Sequence, residues 1–229
     1  MPAPFTLVLE TATPHASLGL AGPEALFTGL EFQSDRHHNA LLFGPLTRLL
    51  DGLAPSDIGR VLVGSGPGSY SGTRVGIAAA QGVALAAACE AVAIPSLLAV
   101  PAVSGAPEGV EFLFLGDARR GAFWTARTCG GKMAVAPTLT DFAGLLAQLE
   151  AAVAAGITVV SLEAPDRFKL PTELAGSINQ QVPTAAGLWQ AWQRADVETR
   201  GIWSAAPPQP IYLKPPHVTA PKRSWLVPS

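Results

Sequence analysis

Gly64-Ser65-Gly66-Pro67-Gly68-Ser69-Tyr70-Ser71-Gly72-Thr73-Arg74 is the stretch on which the fold is read. It follows the apolar run Val61-Leu62-Val63 and precedes a long segment rich in alanine, so strand, glycine loop and helix form one unit, with the helix predicted over about 73–89. Glycines permit positive φ and leave backbone N–H groups uncovered ahead of a helix N-terminus, which makes a phosphate cradle chemically feasible. The Walker pattern, however, requires Lys followed by Ser or Thr after its last glycine, whereas Gly72 is followed by Thr73-Arg74, and the spacing does not fit G-x-G-x-x-G. A structural turn is the simpler reading, and the residues leave the cradle open.

Upstream, 5–9 reads as a buried strand ended by a turn over 11–14, and 17–21 and 25–32 read as two more strands around Gly22-Pro23. Leu42, Leu46, Leu49 and Leu50 then fall on one face of a helix over 39–50, with Pro45 as a kink and Gly52 as a stop. Downstream, 91–94 is a short strand and Ser96 is placed to cap another helix. Three strands, helix, strand, helix, strand call for a mixed sheet flanked by helices, an α/β lobe over 1–103. A second α/β lobe is expected over 104–205. It opens with a hairpin of strands 112–115 and 122–127 around Asp117-Ala118-Arg119-Arg120-Gly121, and continues with a helix over 141–155, a strand over 157–162 and a helix over 184–196. The proline-rich remainder, 206–229, reads as an extended segment in which only Ile211-Tyr212-Leu213 is apolar enough to pack back, with a mobile end. No internal repeat of solenoid length is visible.

Of 229 residues, 48% are hydrophobic and 14% charged, the composition of a folded soluble chain with a real core. A formal net charge of -2 gives no global attraction to polyanions, and Lys214, Lys222 and Arg223 read as a solvated tail. Cys89 and Cys129 have no neighbouring partner of the kind that zinc or redox motifs use, and Met1-Pro2-Ala3-Pro4 has no basic leader region, so the cytoplasm is the expected compartment. The apolar stretch 75–94 contains Gln81 and Glu90 and is mostly small residues, a buried helix rather than a membrane span.

Candidate chemistry is sparse. None of His15, His37, His38 and His217 has the i, i+4 partner that a helical metal site needs, and there is no G-x-S-x-G elbow. No metal site and no catalytic nucleophile are expected. Glu10, Thr11 and Thr13 stand where a first strand meets its turn, the position at which actin-like ATPases place groups near phosphate and metal. Alone they read more simply as residues tying down that turn. The helix after the glycine loop carries Gly76, Ala78, Ala79, Ala80, Gly82 and Ala84, small faces that admit close approach of a sheet or of another helix.

Taken together, Leu9-Glu10-Thr11-Ala12-Thr13, Arg36-His37-His38-Asn39, the glycine segment through Ile77, Asp117-Ala118-Arg119-Arg120-Gly121 and Pro210-Ile211-Tyr212-Leu213-Lys214 resemble the TsaB (YeaZ) pattern in its order. The glycine segment is similar to the family's G-R-G-P-G-S-F-T-G-x-R-x-G, with Ser65, Tyr70 and Ser71 as the departures. The resemblance implies an actin-like (ASKHA, RNase H-like) two-lobe fold with mixed sheets flanked by helices. It also implies a non-catalytic subunit that supports the transferase TsaD in forming threonylcarbamoyladenosine at adenosine 37 of tRNAs reading codons that begin with A. TsaD is the implied heterodimer partner, the ATPase TsaE a later one, tRNA an indirect one, and a homodimer the implied state of the chain alone.

The implied interface, with TsaD or with a second copy, is a helix bundle carrying His38, Leu42, Leu46 and Leu49 on one helix and Tyr70, Thr73, Arg74, Ile77, Ala80, Gln81 and Ala84 on the next. Glu10, Thr11, Thr13, Gly66, Gly68, Ser69 and Gly72 form the motif loops with a conceivable phosphate contact. No cofactor is expected in the isolated chain, with room for a nucleotide at the heterodimer junction. Glu10 stands where the family has Asp, which weakens an actin-like metal and nucleotide site, and nothing supports the glycoprotease label the family has carried. The competing reading is an ASKHA-class ATPase or kinase using Glu10, Thr11, Thr13 and the glycine loop.

Overall fold

Continuous apolar runs at 7–9 and 61–63 are buried on both faces, which marks their strands as central. The computed structural model describes residues 4–23, 26–33 and 38–213, with the side chains of 38–40 excepted. In it β1 (Phe5–Glu10) pairs antiparallel with β2 (His15–Ala21) and parallel with β4 (Ile58–Gly64). Adding β3 (Phe27–Gln33) and β5 (Glu90–Ile94) gives a first sheet of order β3-β2-β1-β4-β5. The second sheet contains β6 (Glu111–Asp117), β7 (Phe123–Cys129), β8 (Lys132–Thr140), β9 (Thr158–Ser161) and β10 (Ile178–Gln180) in the order β10-β9-β6-β7-β8. Its β6–β7 and β7–β8 pairs are antiparallel, and its β6–β9 and β9–β10 pairs are parallel. Each sheet is therefore a three-strand meander extended by two parallel strands from its first member. This repeated arrangement is the two-lobed actin-like fold, a duplication of topology that no sequence repeat displays.

Helices α1 (His38–Leu49) and α2 (Tyr70–Ala87) cover the outer face of the first sheet through Leu7, Leu9, Val61 and Val63. Val8, Leu62 and Val92 point the other way, into a core shared with Phe112, Phe114 and Trp124 of the second sheet. On the far side of that sheet, α4 (Phe142–Ala154) buries Leu145 and Leu149 against Leu113 and Leu115. Two short helices remain, α3 (Pro101–Ser104) and α5 (Thr172–Ala175).

The lobe boundary differs from the expected 104–205. Helix α6 (Ala185–Arg194) packs on β1, β2 and β4, its first N–H donating to Ser17 Oγ at 2.8 Å, and α7 (Val197–Ser204) lies along β5. Both belong to the first lobe, because the amphipathic face of α6 buries Leu188 and Trp192 in the core between the sheets. Ser96 caps no helix either: it opens a 3-10 turn, and its hydroxyl accepts from the Gly66 N–H at 3.0 Å. Helix α2 starts at Tyr70 rather than 73, since the Ser69 side chain accepts from the Gly72 N–H and so caps it. Lys214, Lys222, Arg223 and the expected mobile end lie outside the described residues.

Candidate functional site

The glycine loop is packed against the end of β1. A Cβ on Gly68 would stand 2.2 Å from the Ala12 carbonyl oxygen, and one on Gly72 would stand 2.2 Å from that of Thr11. Only glycine allows this backbone approach. The Ser69 N–H donates to the Ala12 carbonyl at 2.6 Å, and the Thr11 hydroxyl donates to the Gly72 carbonyl at 2.8 Å. With Gly66 N–H on Ser96 and Gly72 N–H on Ser69, three of the donors a phosphate would need are already engaged inside the chain. The structural-turn reading accounts for the motif.

Glu10 is fully buried at the strand end, where its Oε1 accepts from the Ala12 N–H at 2.7 Å. Oε2 is sealed from solvent without a well-formed hydrogen bond, the Ser96 hydroxyl standing beside it. Burial pushes the carboxyl up to about 7, against the opposing pull of the Ala12 N–H, the Ser96 hydroxyl and the Thr11 N–H. Glu10 and Thr11 do not line the cleft between the lobes. Thr13 does, but its hydroxyl is bonded to the His15 carbonyl at 3.0 Å.

That cleft encloses about 610 Å³. One wall is the turn after β1 and the start of α2; the other is the turn after β6 with Trp124, Glu163 and Arg167. On the second wall, Asp117 Oδ1 accepts from the Arg119 N–H at 2.7 Å, Glu163 Oε2 accepts from the Asp117 N–H at 3.0 Å, and Arg167 stands 3.9 and 3.8 Å from the two carboxylates. The mouth is crossed by the C-terminal segment: Ile211 N–H donates to the Ser65 carbonyl at 2.8 Å, and the Tyr212 ring lies 5.7 Å from that of Tyr70. Ile211 and Tyr212 are thereby held against the start of α2 and the loop before it. No cluster of His, Cys, Asp and Glu able to hold a metal occurs among the described residues.

The interface expectation has to be redrawn residue by residue. Leu42, Leu46, Leu49, Thr73, Ile77, Ala80 and Ala84 are buried inside the chain, because the apolar stripes of α1 and α2 face their own sheet and each other. They cannot form a partner surface as placed. Tyr70, Arg74 and Gln81 are exposed, with Arg74 stacked over the Tyr70 ring and the Gln81 amide donating to the Pro208 carbonyl at 3.2 Å. The His38 side chain lies outside the described residues. Sequence reasoning missed the outward groups: Leu41, Phe43 at 55% exposure and Leu85 at 84%, with Gly82 and Ala78 open one and two turns before Leu85. A leucine amid alanines was the available signal.

Residues 33–193 match the family described as TsaD: tRNA N6-adenosine threonylcarbamoyltransferase. The chain belongs to this family. An uncharacterized protein of Mycobacterium tuberculosis strain H37Rv is 30% identical to it over 216 residues, 92% of each chain, as is one from Mycobacterium bovis. YeaZ from Pseudomonas aeruginosa shares the fold with a TM-score of 0.65 at 21% identity, over 92% of this chain and all of that one. A further Pseudomonas aeruginosa structure, described as an uncharacterized protein with similarity to peptidase YEAZ, gives the same TM-score at 22% identity. This TsaD-family chain thus has the fold of YeaZ. Among its described residues no helix is long and apolar enough to cross a membrane.

Proposed function

We infer that this chain is a non-catalytic subunit that binds a TsaD homologue and supports it in forming threonylcarbamoyladenosine at adenosine 37 of tRNAs reading codons that begin with A. The observation that carries this reading is the outer surface of α1 and α2, where Leu41, Phe43 and Leu85 stand exposed beside the small residues Ala78 and Gly82. Large apolar groups next to open backbone form knobs and a hole for a facing helix pair. The same surface serves a homodimer when the chain is alone, the complex recruits the TsaE ATPase, and tRNA is engaged through the complex in the cytoplasm. A nucleotide, where one takes part, belongs to the junction between subunits.

The rival reading, an ASKHA-class ATPase or kinase, requires an acid at the nucleotide; Glu10 is sealed beneath the strand end, and its nearest N–H donor is Ala12 of its own turn. The test is co-purification of this chain with its own organism's TsaD and measurement of modified adenosine with and without it. Leu85→Glu and Phe43→Glu should each lower pairing at least tenfold and reduce modification in parallel, while circular dichroism stays native. Native-like pairing by both folded variants would overturn the helix-face reading. Magnesium-dependent ATP turnover by the chain alone, lost in Glu10→Ala, would replace it with the enzyme.

A further inference from the structure

Among the described residues Glu10 is the only charged side chain that is buried, at 0% exposure, and the partner reading gives it no task. Its surroundings are uncharged on every side: Ser17 across the pairing with β2, Gly64 of β4, Ser96 of the turn after β5, and Thr11 and Ala12 of its own turn. Of the helices packed on β1, α2 carries a single charge, Arg74, which is exposed and stacked over Tyr70. Helix α6 carries none before Arg194, which is bound to the Ser104 and Ala106 carbonyls. A carboxylate enclosed without a cation is costly, so the group either keeps its proton or gains water by an opening of the structure. With the proton it is accommodated: Oε1 accepts from the Ala12 N–H at 2.7 Å, and the Ser96 oxygen beside Oε2 has a lone pair left after accepting from the Gly66 N–H. Without the proton, Oε2 is sealed and has no well-formed hydrogen bond.

The segment against the carboxyl opens at little cost in burial. A Cβ on Gly64 would stand 2.0 Å from Oε2 and 2.6 Å from Ser96 Oγ, so the backbone where the glycine loop begins lies directly on both groups. From Gly64 to Ser69, Pro67 carries the only apolar side chain. Hydrogen bonds hold the segment instead: Ser65 N–H to the Ile94 carbonyl at 2.9 Å, Ser96 N–H to the Gly66 carbonyl at 2.9 Å and Ser69 N–H to the Ala12 carbonyl at 2.6 Å. Such a segment can lift while β1 and β4, the central strands beside it, stay paired. Ser96 joins the loop to the acid, since its hydroxyl meets both Gly66 and the carboxyl. Burial raises Glu10 from 4.5 to about 7, and hydration in an opened state returns it toward the lower value, so loss of the proton favours the opened form.

We propose that Glu10 is a proton-operated latch on the glycine loop: while the carboxyl keeps its proton the 64–69 segment is closed over it, and when the proton leaves the segment lifts locally and loosens the capped start of α2, with both sheets still folded. This device lies beneath the strand end and not on the outer face of α1 and α2, so it and the partner reading can fail separately. The experiment is hydrogen–deuterium exchange of the full chain, corrected for intrinsic rates. Protection over 64–72 should fall about tenfold between pH 6 and pH 8.5. The loop's exchange should be insensitive to low urea, the mark of a local opening, while the amides of β1 and β4 exchange faster as urea is added. Glu10→Gln, which cannot ionise, should show the same loop protection at both pH values. Carboxyl-carbon NMR of the glutamate-labelled wild type, which needs no variant, should show Glu10 protonated at pH 6 and titrating together with the loop. Loop protection that does not change with pH, loop exchange that follows urea as the core strands do, or a Glu10 carboxyl already ionised at pH 6 would each overturn the latch.

Discussion

The glycine loop at 64–72 turns its freedom inward, letting the chain touch itself, while Asp117–Gly121 across the cleft turns charge outward at a backbone cost. In the loop, the absence of side chains at Gly68 and Gly72 brings two carbonyls of the β1 turn within reach of α2. In the facing turn, Arg119 and Arg120 adopt φ of 66° and 59°, the left-handed region that non-glycine residues enter at a cost of about 1 kcal/mol each. A glycine-rich sequence here means close packing, and the strained residues are the charged ones. Glycine content by itself does not separate a ligand loop from a packing loop; where the N–H groups donate does.

The sharpest way to break this comparison is Gly72→Ala. Its Cβ must displace the Thr11 carbonyl, so urea unfolding should show a loss of about 4 kcal/mol, and a loss below about 1 kcal/mol would mean that the contact is soft. Next comes the carboxyl beneath the loop. Because Glu10 is raised from 4.5 to about 7, the native state binds its proton more tightly than the unfolded chain, and stability falls as pH rises through that window. Glu10→Gln should gain about 3 kcal/mol on the wild type between pH 4 and pH 8, read from paired denaturation curves, and a constant difference would sink the assignment. Ser69→Ala, which uncaps the Gly72 N–H, should cost about 1 kcal/mol. The smallest effect has the opposite sign: Arg120→Gly should stabilise by about 0.5 to 1 kcal/mol, seen as a higher thermal midpoint, because it relieves the left-handed strain in the facing turn.

What was legible in the sequence was local. The strand, loop and helix around 58–87, the opening meander and the Asp117–Gly121 hairpin all follow from neighbouring residues. The missed elements each lacked a local signal. β8 carries Pro137 and is largely exposed, β10 is three residues long, and α7 contains Gly201, so none shows a clean period. The Leu42, Leu46 and Leu49 stripe was visible as an apolar face, but periodicity does not say whether such a face meets its own sheet or a partner. It meets the sheet. The cleft was not legible, because its walls come from residues 12–15, 67–73, 115–119, 162–167 and 210–213, which are far apart in the chain and meet only when it folds.

The return of α6 and α7 to the first lobe has a consequence for the order in which the molecule can be built. The inner face of the first sheet, with Val8, Leu62 and Val92, shares a core with Leu188 and Trp192 of a helix that leaves the ribosome about a hundred residues after β5. The second sheet, contiguous from 111 to 180, is complete before that helix appears, so the half of the protein made first is the half that finishes last.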